Sequence, residues 1–201
     1  MDQQMKSGLW QKQLCRSLFE CTLGVVGVGN IGKAVLRRAK GFGIGLYGND
    51  IVEIDPAYLE EVGVRMTSLE DLLRHSDFIS INCDLNPTSF HLINRDSLSH
   101  AREGAILINT ARGPIVDEDA LIEALRLGRL MGAALDVFEQ EPLPLSSPLL
   151  KMENVLLAPH NSNSSPAAWE YVHQNTIRNL FNGLGIATDA FSRLSKLPWL
   201  P

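Results

Sequence analysis

Three glycines, Gly27, Gly29 and Gly32, stand directly after an apolar run and directly before a helix-forming one, and few folds accommodate that arrangement. The run Thr22-Leu23-Gly24-Val25-Val26 suits a buried strand, and Lys33 to Lys40 reads as a helix with Ala34, Val35 and Leu36 available for packing. A second strand-like run, Ile44 to Tyr47, leads to Asp50. Strand, glycine turn, helix, strand, acid is the order of a dinucleotide-binding unit. Gly27 permits the tight turn, and Gly29 lets backbone N–H groups approach a diphosphate. Gly32 lets the helix lie close to the strand, and the helix N-terminus favours phosphate charge. Asp50 can accept hydrogen bonds from both hydroxyls of an adenine ribose. Its charge would repel a 2′-phosphate, which favours NAD over NADP.

The rest of the chain repeats the alternation. A strand is predicted around Val62 to Met66, and Ser68-Leu69-Glu70-Asp71 opens a helix that runs to about His75. Phe78 to Cys83 and Ala105 to Asn109 read as strands, with Asn94 capping a short helix between them. Asp117 caps a longer helix, Ala120 to Leu127, which ends at Gly128. Met131 to Val137 and Val155 to Ala158 are the last strands, separated by a proline-rich loop from Glu141 to Pro148. Ser165-Pro166 opens a final helix through about Phe181. Alternating strands and helices predict an α/β fold, a Rossmann-type doubly wound parallel sheet in three layers. Met5, Leu9, Trp10, Leu14 and Leu18 recur at near-helical spacing, so residues 1–20 are expected to form a helical arm or linker helix. The sheet domain is expected over 21–185, with an irregular tail at 186–201.

Composition narrows the partners. Of 201 residues, 45% are hydrophobic, enough for a packed core, and the net charge of −5 without a basic stripe argues against nucleic acid. The apolar runs are far shorter than a membrane span, and the first twenty residues lack a signal-peptide core. Cys15, Cys21 and Cys83 are too few for a disulfide framework or a zinc site, and no metal site emerges. A cytoplasmic protein is expected.

In an open parallel sheet, ligands bind beyond the carboxyl ends of the strands. Arg112, Asp136, Glu141 and His160 all fall at that edge by this reading. Singly, each has a plainer role as a surface arginine, a turn cap, a loop acid or a surface histidine. Together they suit hydride-transfer chemistry. His160 is the natural proton carrier, because an imidazole works in both directions near neutral pH. Glu141 can orient it, and Arg112 can hold a substrate carboxylate. His75, His91, His100 and His173 have no assignable partner and read as surface or helix-end residues.

Four stretches resemble the D-isomer-specific 2-hydroxyacid dehydrogenases: Gly27 to Gly32, Asn109 to Gly113, Leu135 to Pro142, and Ala158-Pro159-His160. The resemblance implies catalytic roles for Arg112, Glu141 and His160. It implies a cofactor set of Gly27, Gly29, Asn30, Ile31, Gly32, Asp50, Cys83, Thr110 and Asp136, with Asp136 on the nicotinamide carboxamide side. A buried structural thiol is an equal reading of Cys83. It also implies NAD as cofactor, a small 2-oxo or 2-hydroxy acid as substrate, and a homodimer. Members of that family carry a substrate domain built largely from residues ahead of the glycine turn, where this chain has 26. The chain therefore resembles the cofactor half, and weak or no activity is expected of it alone. A non-enzymatic NAD-binding or redox-sensing module acting through a partner protein is the alternative. The three residues Arg112, Glu141 and His160 favour descent from an enzyme, since a pure binder needs none of them.

Overall fold

The computed structural model describes residues 1–12, 14–162 and 164–185. Seven strands, all parallel, form one sheet: β1 (Thr22–Val26), β2 (Gly45–Asn49), β3 (Arg65–Met66), β4 (Phe78–Ile81), β5 (Ala105–Asn109), β6 (Leu130–Leu135) and β7 (Val155–Leu157). Their spatial order is β3-β2-β1-β4-β5-β6-β7. The chain winds outward from β1 to β3, then crosses back to place β4 on the other side of β1. That reversal opens a crevice at the carboxyl ends of β1 and β4.

Parallel strands need crossovers, and the helices that make them pack against the two faces of the sheet, although Met131 of β6 and Leu156 of β7 stay exposed. Leu23 and Val25 of β1 pack with α2 (Asn30–Lys40) and α3 (Pro56–Val62) through Leu36, Tyr58 and Val62. Gly24, between them, points the opposite way, where a Cβ would strike Leu72 of α4 (Leu69–His75) at 2.4 Å. That second layer also holds α5 (Arg95–Ser99) and α6 (Glu118–Arg126), whose Leu98, Leu121 and Leu125 pack with Ile79, Ile81, Leu107 and Leu130. Fully burying one such side chain stabilises by about 1.5–3 kcal/mol. Caps fix the helix starts: the side chains of Ser68, Asn94 and Asp117 accept N–H groups of the first turns of α4, α5 and α6.

Two elements differ from the sequence expectation. Residues 56–62 form α3, capped by Asp55 and ended at Gly63 with φ +78°, so the strand expected over 62–66 shrinks to Arg65–Met66. The N-terminal arm is helical over α1 (Asp2–Lys6) and, as one 3-10 turn, over Leu18–Glu20. Gly8 at φ +84° turns the chain out of the helix, and Leu9, Trp10 and Leu14 are exposed, with no packing to hold a helix together. The sheet and α1–α6 belong to one compact unit, Met1–His160. A second unit begins at Asn161 and contains α7 (Pro166–Gly183), capped by Ser165. The tail expected at 186–201 lies outside the described residues.

Candidate active site

The glycine turn sits where the sheet order reverses. Gly27 has φ +90°, and a Cβ there would lie 2.4 Å from the Cys83 backbone nitrogen, across from β1 at the end of β4. A Cβ at Gly32 would lie 2.0 Å from the Gly27 carbonyl oxygen, so α2 can approach the turn only with glycine there. Gly29 is different, because a Cβ there would meet nothing within 4 Å. No neighbouring atom crowds that position, and the open space beside it is what a diphosphate would need. Gly29 caps α2 without a side-chain hydrogen bond, which leaves the first-turn N–H groups for a ligand.

Gly27, Gly29, Asn30, Ile31, Asp50 and Cys83 line one cleft of about 470 Å³. Val28 N–H donates to Asp50 Oδ2 at 2.6 Å and Val52 N–H to Oδ1 at 3.1 Å. Both carboxylate oxygens are thereby oriented, and each keeps a lone pair for a ribose hydroxyl. Burial pushes the Cys83 thiol up to about 11, so it stays neutral. Ile31 and Cys83 also line an adjoining cleft of about 400 Å³, together with Thr110 and Arg112. The donor set and the open glycine fit a dinucleotide laid across the crevice.

The loop after β5 presents Arg112. Asn109 shapes it from both sides: its Oδ1 accepts Ala111 N–H, and its Nδ2 donates to the Arg112 carbonyl, each at 3.0 Å. The Arg112 side chain is left exposed. Gly113 then lies against the Phe138 carbonyl, where a Cβ would come within 1.9 Å, so the loops after β5 and β6 meet backbone to backbone. Asp136, after β6, is buried, and its N–H donates to the Asn109 carbonyl at 3.0 Å.

Glu141 and His160 are in contact. Glu141 Oε1 accepts Phe138 N–H at 3.0 Å, and its Oε2 lies 2.8 Å from His160 Nδ1. The His160 contact, the Phe138 bond and the charges of His160 and Arg112 hold the Glu141 carboxyl below the usual glutamate range. Arg112 is thus near enough for its charge to be felt at the pair. The His160 backbone has φ +51°, an uncommon conformation for a residue other than glycine. The two side chains line a hollow of about 650 Å³ whose other walls include Phe138, Pro142, Leu143 and Leu157. One ring nitrogen of His160, Nδ1, thereby faces a carboxylate.

The sequence reading missed the partners of four histidines, of which His173 meets the Trp169 ring edge-on with 6.1 Å between centroids. His91 Nε2 lies 2.9 Å from Glu139 Oε1, out of line for a hydrogen bond. His75 Nδ1 lies 2.7 Å from the Asp71 carbonyl, and His100 Nδ1 lies 3.5 Å from Glu70 Oε1. These pairs join residues on separate loops or on helix faces whose register shows only once the chain is folded. Among the described residues no group of histidine, cysteine or acidic side chains could hold a metal ion. No described helix is long and apolar enough to cross a membrane.

Residues 1–162 match the family model described as D-isomer specific 2-hydroxyacid dehydrogenase, NAD binding domain. Glyoxylate reductase of Korarchaeum cryptofilum is 44% identical over 170 residues, which cover 82% of this chain and 51% of that one. A D-lactate dehydrogenase from Aquifex aeolicus, solved with NAD and lactic acid, has a TM-score of 0.82 at 31% identity, over 92% of this chain and 60% of that one. A D-isomer specific 2-hydroxyacid dehydrogenase from Xanthobacter autotrophicus, solved with NADPH, has a TM-score of 0.73 at 37% identity, over 79% and 50%. The chain spans about half the length of the curated relatives it matches.

Proposed function

Because the chain belongs to the D-isomer specific 2-hydroxyacid dehydrogenase family, as its NAD-binding domain, we propose that it serves hydride transfer between NAD and a small D-2-hydroxy or 2-oxo acid. The observation that carries this reading is the 2.8 Å contact between Glu141 and His160, at the same sheet edge as the glycine turn. When bound, the nicotinamide supplies the hydride donor or acceptor.

The chain's own residues do the rest. Gly27, Gly29, Asn30, Ile31 and Gly32 admit the diphosphate, Asp50 takes the adenine ribose hydroxyls, and Cys83 and Thr110 line the path. Asp136 serves the carboxamide side of the nicotinamide. With Nδ1 committed to Glu141, His160 gives or takes the substrate hydroxyl proton at Nε2. Arg112, exposed beside the cleft, binds the substrate carboxylate, and a charge-assisted bond of that kind contributes about 1.5–3 kcal/mol. Asp50 makes NAD the preferred cofactor over NADP. The reading includes a cytoplasmic homodimer, which sedimentation of the purified chain checks; a monomer mass alone at micromolar concentration counts against it.

Residues 1–201 alone are expected to bind NADH and to turn over slowly or not at all. His160 and Glu141 remain 44% and 37% exposed, so little excludes water from the proton path. Positioning of reactants can contribute about 7–11 kcal/mol, and an open site forfeits much of it. Fluorescence titration with NADH, followed by oxidation assays with glyoxylate, hydroxypyruvate and pyruvate, tests both parts. Absence of NADH binding ends the reading.

A further inference from the structure

Glu141 stands in a loop without strand or helix of its own, yet its carboxylate must meet His160 within a few tenths of an ångström to be useful. Its local anchor is Phe138 N–H. Glu139, next to Phe138, ties that turn to a neighbouring helix. Glu139 exchanges bonds with the first residue of α6: Glu118 N–H donates to Glu139 Oε1 at 2.9 Å, and Glu139 N–H donates to Glu118 Oε2 at 3.4 Å. Burial pushes the Glu118 carboxyl up, and the charges of Glu139 and Asp119 push it further, against the Glu139 N–H bond. Two carboxylates so close repel, and His91 packs against the pair with Nε2 at 2.9 Å from Glu139 Oε1.

His91 is itself held tightly. Its N–H donates to the Pro114 carbonyl at 2.9 Å, its carbonyl accepts Asn94 Nδ2 at 3.0 Å, and its ring stacks on Phe90. Pro114 lies two residues beyond Arg112. One histidine therefore touches the loop that carries Arg112 through its backbone and the loop that carries Glu141 through its ring. His91, Glu118 and Glu139 line neither the clefts at the glycine turn nor the hollow at His160.

We propose that Glu118 and Glu139, bonded to each other and packed against His91, form a brace that positions Glu141 against His160 and sets the Glu141 loop relative to Arg112. They are positioning residues, with no contact to substrate. The proposal rests on the reading of Glu141 and His160 as the working pair.

The test follows the Glu141 carboxyl carbon by NMR through an acid titration of the labelled chain, with a thermal melt of each sample. In the parent protein the midpoint is expected below the ordinary glutamate range. In Glu139→Ala it is expected to rise, recovering at least half of that displacement. Removing the negative charge of Glu139 by itself would shift Glu141 downward, so a rise reports a lost contact with His160. Glu118→Ala carries the same sign logic and serves if the first variant fails to fold. A brace that mattered only for stability would lower the melting temperature and leave the Glu141 midpoint displaced. That result in both variants overturns the proposal. Failure of the underlying reading looks different: the parent chain would not bind NADH, and the proposal would fall with it.

Discussion

At Gly29 and Gly113 the same substitution has opposite expected consequences. A Cβ at Gly29 meets open space, so Gly29→Ala should fold with an unchanged melting temperature. It places a methyl group where the diphosphate is proposed to lie, and NADH affinity should fall at least about tenfold, or about 1.4 kcal/mol. At Gly113 the added carbon would come within 1.9 Å of the Phe138 carbonyl, so the loops bearing Arg112 and Glu141 must part. Overpacking of that kind costs about 1–3 kcal/mol, and Gly113→Ala should lose both stability and the Glu141–His160 contact. Calorimetry with NADH titration separates the two. Asp50 sets a third expectation. Its oxygens accept Val28 and Val52 N–H, and an asparagine would keep one acceptor while losing the charge. Asp50→Asn should therefore narrow the NADH preference over NADPH by about tenfold, a difference of about 1.4 kcal/mol; an unchanged ratio would remove Asp50 from cofactor selection.

At the scale of elements, capping and burial differ in weight. Leu121 of α6 is 1% exposed, and Leu121→Ala should destabilise by about 2–5 kcal/mol. Asp55 caps α3 by accepting Ala57 N–H at 2.9 Å, and Asp55→Ala should cost about 1 kcal/mol; urea melts of both variants give the comparison. The same contrast explains which elements could be read from the sequence. β5 is an apolar run, Ala105 to Ile108, closed by Asn109 and flanked by β4 and β6, and its bounds were legible. α3 has the signals Asp55, Pro56 and Gly63, but its seven residues are too short for periodicity to stand out. The arm misled in the other direction, because Leu9, Trp10 and Leu14 have helical spacing and no surface to pack on. The contact between Glu141 and His160 was legible because both residues lie in the loops that follow β6 and β7. His91, Glu118 and Glu139 meet through loop geometry, which no spacing announces.

Across the whole molecule, the edge opposite the site is held by one carboxylate. Asp77 precedes β4, and its side chain is 9% exposed. Its Oδ2 accepts Thr22 N–H at 2.8 Å at the start of β1, while Arg16 lies 2.6 Å and Arg102 3.1 Å from Oδ1. The N-terminal arm, the first strand and the segment leading into β5 thus converge on it. Burial alone would raise its pKa, but Arg16, the two Thr22 bonds and the Arg102 charge outweigh that and hold it below the ordinary 3.8. A depressed folded value means the unfolded chain binds the proton more readily. The contribution to stability is therefore complete above the ordinary aspartate range and is lost as pH falls through the lower folded value. Asp77→Asn keeps the shape and removes the charge, at an expected cost of about 1–3 kcal/mol at neutral pH. Urea denaturation of both proteins should show that gap constant from pH 8 to about pH 5 and shrinking below about pH 4, as the parent loses the same charge to protonation. A gap that persisted undiminished to pH 2 would show that the charge of Asp77 is not what binds these segments together.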